Sequence, residues 1–247
     1  MDVHPIATAG FGATADLYAR GRPSYPDAAI RWLSDRIGLG PGVTVVDLAA
    51  GTGKLSHALA ATGAEVVAVE PLDAMRRAIS SEIRAVEGTA EAIPLGQASV
   101  DAVTVGQAFH WFDGDRALAE MHRVLRPAGS VALLWNVRRS DDPVQGALEQ
   151  LIAPHFDTVP RHRTVRWRDS FERTRLFGSL EEVEFPLEQR LDAEGLAAQV
   201  GSLSAIGALP ERERGQLLDR VRSLAASGEV TLRYACQVHV ADRLQPS

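Results

Sequence analysis

The chain has 247 residues, 45% of them apolar and 23% charged, with a formal net charge of −6. That length can bury a full core in one large domain, and the acidic balance argues against a nucleic-acid partner, whose affinity rests on clustered Lys and Arg neutralising phosphates. The single cysteine, Cys236, excludes an internal disulfide and a cysteine-cluster metal site.

In chain order, PDAAIRWLSDRIG predicts a helix with Pro26 at its start, Ile30, Leu33 and Ile37 at helical spacing, and Gly38 at its end. Strands and helices then alternate. VTVVDLA (43–49) is a β-branched strand, KLSHALAAT a helix stopped by Gly63, and AEVVAVE (64–70) a second strand. DAMRRAIS reads as a helix, IRAVEG as a third strand, SVDAVTVG (99–106) as a fourth, DRALAEMHRVLRP as a helix and SVALLWNV (130–137) as a fifth strand. Continuous apolar strands separated by helices imply a parallel sheet covered on both faces.

Beyond residue 140 the pattern changes. VQGALEQLIAPHF and RWRDSFERTRLF read as helices, and LEEVEFPLEQRL (180–191) alternates like a strand whose Pro186 suggests an edge or a bend. Residues 192–227 read as mostly helical, and EVTLRYACQVHV (229–240) is a last strand, with Cys236 as a small buried hydrophobe. The expected fold is therefore α/β: a doubly wound, mostly parallel seven-stranded sheet with an antiparallel edge strand and a helical cap. One domain is expected over 1–247, with N-terminal helices (1–40) closing over a cofactor, a cofactor-binding core (41–140), and a helical cap with the last strands (141–247). Arg161, Arg163, Arg166 and Arg168 read as a solvated arginine-rich face. No window approaches 18 uninterrupted apolar residues, and MDVHPIATAG lacks the build of a secretory signal, so a cytoplasmic location is expected.

The chemistry is concentrated in VVDLAAGTGKLSHALA (45–60), a strand, an acid, a glycine-rich bend and a helix start. Such bends approach ligands closely and offer unpaired N–H groups to an anion. A nucleoside triphosphate would require GxxxxGK[ST], but Leu55 follows Lys54 and Leu48 replaces the first glycine. A dinucleotide would require GxGxxG, but Ser56 stands at the third glycine. S-adenosylmethionine needs donors for a carboxylate and an acceptor for an ammonium, and Asp47 places a carboxylate just ahead of the bend. Glu70, at the end of the second strand, suits a ribose diol. Ala90 and Glu91, in the loop after the third strand, suit an adenine edge, and QAFHWFD ends the fourth strand in a polar and aromatic cluster.

With DLAAGTG, VVAVEPLDAM, GTAEAIPL and VDAVTVGQAFHWF in order, the chain resembles the class I S-adenosylmethionine-dependent methyltransferases over residues 11 to about 140. LYARGRPSYP and QAFHWFD resemble a small-molecule subgroup that includes trans-aconitate-type methyltransferases. The usual first motif has glycine where this chain has Ala49, taken to sit in a strand-end conformation that alanine tolerates. The resemblance implies that Gly51 and Gly53 pack under the methionine part, Ala49 offers its carbonyl to the ammonium and Asp47 orders the loop. It implies further that Glu70 takes the ribose hydroxyls, Leu72 or Met75 covers the adenine, Ala90 with Glu91 reads its edge, and Gln107 lies beside the methionine. Tyr18 and Arg22 would close over the cofactor, Arg22 on its carboxylate.

The implied activity is methyl transfer to a small molecule at O, C or N. His110 is the candidate base. Phe109, Trp111, Trp135, Asn136 and Arg138 (or Arg139) are expected to contact the substrate. Neither a metal site nor a hydrolase GxSxG elbow is visible, and His155, His162 and His239 read as incidental. The alternatives are an NAD-dependent oxidoreductase and a non-catalytic S-adenosylmethionine-binding protein. A monomer or homodimer is expected.

Overall fold

The computed structural model describes residues 20–139, 143–156 and 167–245. Strands β1 (Thr44–Leu48), β2 (Glu65–Val69), β3 (Arg84–Val86), β4 (Val100–Gly106), β5 (Leu125–Arg138), β6 (Glu181–Leu191) and β7 (Val230–Asp242) form one sheet in the order β3-β2-β1-β4-β5-β7-β6. The first five run parallel, and β7 runs antiparallel to both β5 and β6. The expected seven-stranded doubly wound sheet is present. Its reversed strand lies one position in from the rim, and β6 is outermost. Pro186 sits in that outermost strand opposite Ala235, where its missing N–H costs no second ladder.

Alternation along the central strands builds two apolar layers. Val46, Leu48, Val103, Val105, Leu133 and Trp135 face one layer. Val45, Ala68, Ala102, Ala132 and Leu134 face the other. Helix α1 (Asp27–Ile37) buries Ala29, Ile30 and Leu33 in that second layer, beside Leu55 and Leu59 of α2 (Lys54–Ala60). α1 is thus a core helix under the sheet, and Arg22, Pro23 and Tyr25 of the segment before it line the cavity described below. Residues 1–19, including Tyr18, lie outside the described residues.

Several helices are shorter than the sequence pattern suggests. DAMRRAIS yields one turn, α3 (Asp73–Arg76), where the Arg76 guanidinium donates to the Glu70 carbonyl at 2.8 Å and so folds the turn back on the strand end. Helix α4 (Gly114–Val124) ends where Leu125 pairs with Val100 and opens β5. RWRDSFERTRLF gives only α6 (Arg168–Arg173), with Trp167 and Phe171 buried against α4 and the sheet. The cap has its own apolar cluster, in which α5 (Pro143–Ile152), α7 (Ala193–Gly201) and α9 (Glu211–Ser223) pack Leu148, Ile152, Leu196, Val200, Leu217 and Val221 on the ends of β6 and β7. A short turn, α8 (Ser204–Gly207), joins α7 to α9. Cys236 is fully buried, and burial pushes its thiol up to about 12. No helix among the described residues is long and apolar enough to cross a membrane.

Candidate active site

The bend after β1 is built from left-handed backbone: Ala49, Gly51 and Gly53 have φ of 56°, 58° and 83°. Ala49 is thus not in a strand-end conformation. It occupies the left-handed region at a cost of about 1 kcal/mol for an L-residue, and this corrects the expectation from sequence. At Gly53 a Cβ would also come within 3.3 Å of the Ile79 side chain, so the positive φ and the crowding both favour glycine. Asp47 is buried, and its Oδ2 accepts the Ser56 hydroxyl at 2.5 Å. Ser56, at the place where a dinucleotide motif has its third glycine, is what ties the strand to α2.

The other Asp47 oxygen, Oδ1, is buried without a hydrogen-bond partner. Burial, opposed by Ser56 and reinforced by the nearby Glu70 charge, pushes the Asp47 carboxyl up to about 7. Glu70 is also buried; its oxygens accept the N–H groups of Gly51 at 2.9 Å and Leu72 at 2.8 Å. Desolvation raises its pKa, and these two N–H groups and Arg76 pull it back. Glu70 therefore braces the bend against the turn that carries Leu72 and the buried Met75.

The loop after β3 is held from α4. Glu120 accepts the Ile93 N–H at 3.0 Å, and Arg123 donates to the carbonyls of Leu95 and Ile93 at 2.8 and 2.9 Å. Ala90 is buried in the core layer, so only its backbone can face a ligand. One Glu91 oxygen accepts the Asp113 N–H at 3.0 Å, which fastens this loop to the start of α4.

A cavity of about 240 Å³ opens at the carboxyl ends of β1, β4 and β5, where open α/β sheets bind ligands. Asp47, Ala49, Ala50 and Lys54 close one end, and Gln107, His110 and Trp111 follow β4 along its side. Trp135, Asn136 and Arg138 come from β5, and Arg22, Pro23 and Tyr25 from the segment before α1. The cap supplies Glu149, Ile152, Phe156, Gln199, Leu203 and Ser204, and β7 supplies Tyr234. Gln107 has φ 61° and is locked there by its N–H donating to the Leu134 carbonyl at 2.8 Å. Left-handed non-glycine residues thus stand at two corners of the cavity.

The residues expected from sequence are sorted by this geometry. Arg22 lines the cavity, with its Nε donating to Ser202 Oγ at 3.0 Å. His110 lies on a single 3₁₀ turn (Phe109–Trp111) and faces the cavity with Trp111. Phe109 does not: it is buried against Phe112, Trp167 and Phe171 in the core layer, on the side of the turn away from His110 and Trp111. It is a core residue, not a substrate contact. Trp135 belongs to the first layer, where its ring lies 4.5 Å from that of Trp167 between centroids, and it also borders the cavity. Asn136 Nδ2 donates to the Ser24 carbonyl at 3.0 Å, while its Oδ1 is buried without a partner. Arg138 Nη2 donates to Gln199 Oε1 at 2.7 Å, whereas Arg139 is exposed beyond the site. Gly51, Gly53, Glu70, Leu72, Met75, Ala90 and Glu91 lie outside the cavity lining, in the bend and the loops beyond it.

Sequence reasoning missed Tyr25, Lys54, Glu149, Gln199 and Tyr234 as cavity residues. Tyr25 was legible in RPSYP: its hydroxyl lies so close to Gly106 that no side chain fits at 106. Lys54 directly follows Gly53, and burial lowers its pKa. Nothing in the local pattern singles out Gln199 or Tyr234.

An adenosyl amino acid suits these groups. The site combines a buried carboxylate oxygen without a hydrogen-bond partner, Asp47 Oδ1, with two lining cations, Lys54 and Arg22, and a second buried acid, Glu70, directly after β2. Comparison with known proteins agrees. A family profile described as a methyltransferase domain matches residues 46–133. An uncharacterized methyltransferase of Mycobacterium tuberculosis is 39% identical over 237 residues, covering 88% of this chain and 86% of that protein. A methyltransferase-like protein of Schizosaccharomyces pombe is 34% identical over 203 residues, covering 80% and 78%. A solved structure from Anaeromyxobacter dehalogenans, assigned as a type II methyltransferase, superposes with a TM-score of 0.67 at 28% identity, over 92% of this chain and 99% of that one. By its fold, its bend and these relatives, the chain belongs to the class I S-adenosylmethionine-dependent methyltransferases and uses S-adenosylmethionine as cofactor.

Proposed function

We propose that this protein methylates a small molecule enclosed in the cavity between the sheet and the cap. The observation that carries the reading is the cavity itself: a backbone bend and an unpartnered buried carboxylate at one end, and aromatic and cationic side chains under a helical roof at the other. So roofed a site fits a small acceptor better than a nucleic-acid strand. The proposed acceptor atom is oxygen, carbon or nitrogen, with a carboxylate or hydroxyl oxygen favoured.

In this reading Ala49, Gly51 and Gly53 support the methionine part, Asp47 accepts from its ammonium, and Arg22 meets its carboxylate, with Lys54 as a second cation beside the bend. Gln107 lies alongside. Glu70 takes the ribose, Leu72 and Met75 back the adenine, and Ala90 and Glu91 border its edge. When bound, S-adenosylmethionine supplies an electrophilic methyl group on a positively charged sulfur. Trp111 and Trp135 wall the acceptor and exclude water. Alignment of this kind supplies roughly 7–11 kcal/mol of barrier reduction. With a hydroxyl acceptor, His110 takes its proton; an acceptor that is already anionic leaves His110 a positioning role.

Calorimetric titration with S-adenosylhomocysteine and with NAD tests the cofactor assignment. S-adenosylhomocysteine binds, NAD does not, and Glu70→Ala weakens binding by about thirtyfold, the equivalent of about 2 kcal/mol. Unchanged affinity in that variant removes Glu70 from the ribose site. Methyl transfer from labelled cofactor to a panel of acids, phenols and amines tests the acceptor class, and labelling only of proteins or nucleic acids refutes it.

A further inference from the structure

Asn136 stands near the carboxyl end of β5 and borders the cavity with only half of its amide engaged. Its Nδ2 donates to the Ser24 carbonyl at 3.0 Å, and its Oδ1 is buried with no hydrogen-bond partner. The reverse amide orientation would set oxygen against the Ser24 oxygen, so the Ser24 carbonyl decides which way the group faces. A tie to Ser24 alone would need only the NH2 group. A buried acceptor left without a donor is costly, and in the wall of a ligand cavity the missing donor is a part of the ligand.

This oxygen is separate from the one beside the bend. Alternation puts Asp47 and Asn136 on the same face of the sheet, with Val45 and Leu134. Asp47 pairs with Thr104, and Thr104 with Ala132. Asn136 therefore lies two strands over and about 13 Å farther toward the carboxyl ends, at about 3.3 Å per residue beyond Ala132. An ammonium held at Asp47 is out of its reach. The described lining carries three cations, Arg22, Lys54 and Arg138, and two acids, Asp47 and Glu149. That balance of charge disfavours a cationic donor on the acceptor. An ionised carboxylate at Asn136 would bring oxygens and no donor. A hydroxyl meets both conditions.

We infer that the acceptor is a neutral hydroxyl compound whose O–H donates to Asn136 Oδ1. An amide oxygen holds an O–H without taking its proton, so Asn136 selects and orients the substrate and leaves deprotonation to other groups. Trp111, Ile152 and Leu203 offer apolar contact to the rest of the molecule. Asn136 is then a specificity-determining residue, because a molecule without the hydroxyl leaves its buried oxygen unpaired. This inference rests on the reading of the cavity as a methyltransferase site.

The test uses the full chain saturated with S-adenosylhomocysteine and titrated with phenols and medium-chain alcohols. Each is paired with the analogue carrying hydrogen in place of the hydroxyl and with the corresponding primary ammonium. At least one hydroxyl compound binds about tenfold or more tighter than both of its partners. Asn136→Leu and Asn136→Asp both break the bond to Ser24, but only Asn136→Leu removes the acceptor. The preference for hydroxyl over hydrogen is lost in Asn136→Leu and kept in Asn136→Asp, a split that a purely structural tie to Ser24 does not produce. If neither variant folds, the wild-type pairs decide alone. Hydroxyl and hydrogen partners binding alike, no probe binding, or tighter binding of the ammonium overturns the inference. So does a preference that survives in Asn136→Leu or disappears in Asn136→Asp. Failure of the wild-type protein to bind S-adenosylhomocysteine is a separate result, and it overturns the cofactor reading instead.

Discussion

The two ends of the cavity are made of different material. The end beside β1 rests on backbone: Ala49 lines it in a left-handed conformation, and behind it Gly51 and Gly53, also left-handed, are braced by Glu70, which accepts the Gly51 and Leu72 N–H groups. The part beneath the cap is side chain: Arg138, Gln199 and Tyr234, delivered by two strands and a helix that are far apart in sequence. A site made from backbone constrains residue type at consecutive positions, and it can serve any acceptor that shares the cofactor. A site made from side chains can be re-specified one residue at a time.

The sharpest way to break this contrast is at Asp47, the one side chain that the backbone end cannot spare. Its folded-state carboxyl titrates at about 7, against 3.8 for an unperturbed Asp. The folded protein therefore holds a proton that the unfolded chain has lost, and this contribution to stability is present below pH about 4 and disappears as pH rises to about 7. At about 1.4 kcal/mol per unit, the loss is of order 4 kcal/mol. Asp47→Asn keeps an oxygen for Ser56 and removes the titration. Chemical denaturation should show the variant gaining stability over wild type between pH 4 and 8. A cofactor ammonium stabilises the charged carboxylate, so wild-type affinity for S-adenosylhomocysteine should fall as pH drops below about 7 and be flatter in the variant. Parallel pH profiles for the two proteins would refute the assignment.

The contrast can next be tested at the roof. Gly21 packs so closely on the backbone of Ala198 in α7 that a Cβ there has no room, and its carbonyl accepts from Gln189 Nε2 at 3.0 Å. Gly21→Ala forces backbone apart and should cost about 1–3 kcal/mol. It also withdraws Arg22 from the cavity, which should weaken S-adenosylhomocysteine binding by about tenfold. Thermal unfolding and titration together check this, and a variant with wild-type affinity would detach Arg22 from the cofactor.

Ala49→Gly has the smallest expected effect. Relief of the left-handed alanine, about 1 kcal/mol, is offset by the entropy glycine loses on folding, about 0.5–1 kcal/mol. Denaturation midpoints should agree to within about 1 kcal/mol. A large stabilisation would mean that the bend is under more strain than its φ of 56° implies.

The same contrast explains what was legible in the sequence. Five parallel strands and the bend could be read because burial on both faces and left-handed turns leave periodic and compositional marks. Glu70 was legible because it closes a strand next to the bend. Phe109 was misplaced because a single 3₁₀ turn has no periodicity to say which of its residues points inward, and Ala49 because alanine carries no mark of positive φ. Gln199 and Tyr234 were invisible: their role comes from the packing of α7 and β7 against Arg138, more than 60 residues away from either in the case of Gln199. The short helices α3 and α6 departed from their patterns because tertiary contacts, Arg76 on a strand-end carbonyl and Trp167 in the core, decide where they stop.

Lys54 is the only lysine in the chain, and it stands in the cavity wall with its amine less basic than usual through burial. Apart from the α-amino group, amine-directed acylation therefore has a single side-chain target, and it lies in the cavity wall. The rate at which that position is tagged becomes an optical gauge of whether the pocket is filled, without any engineered label.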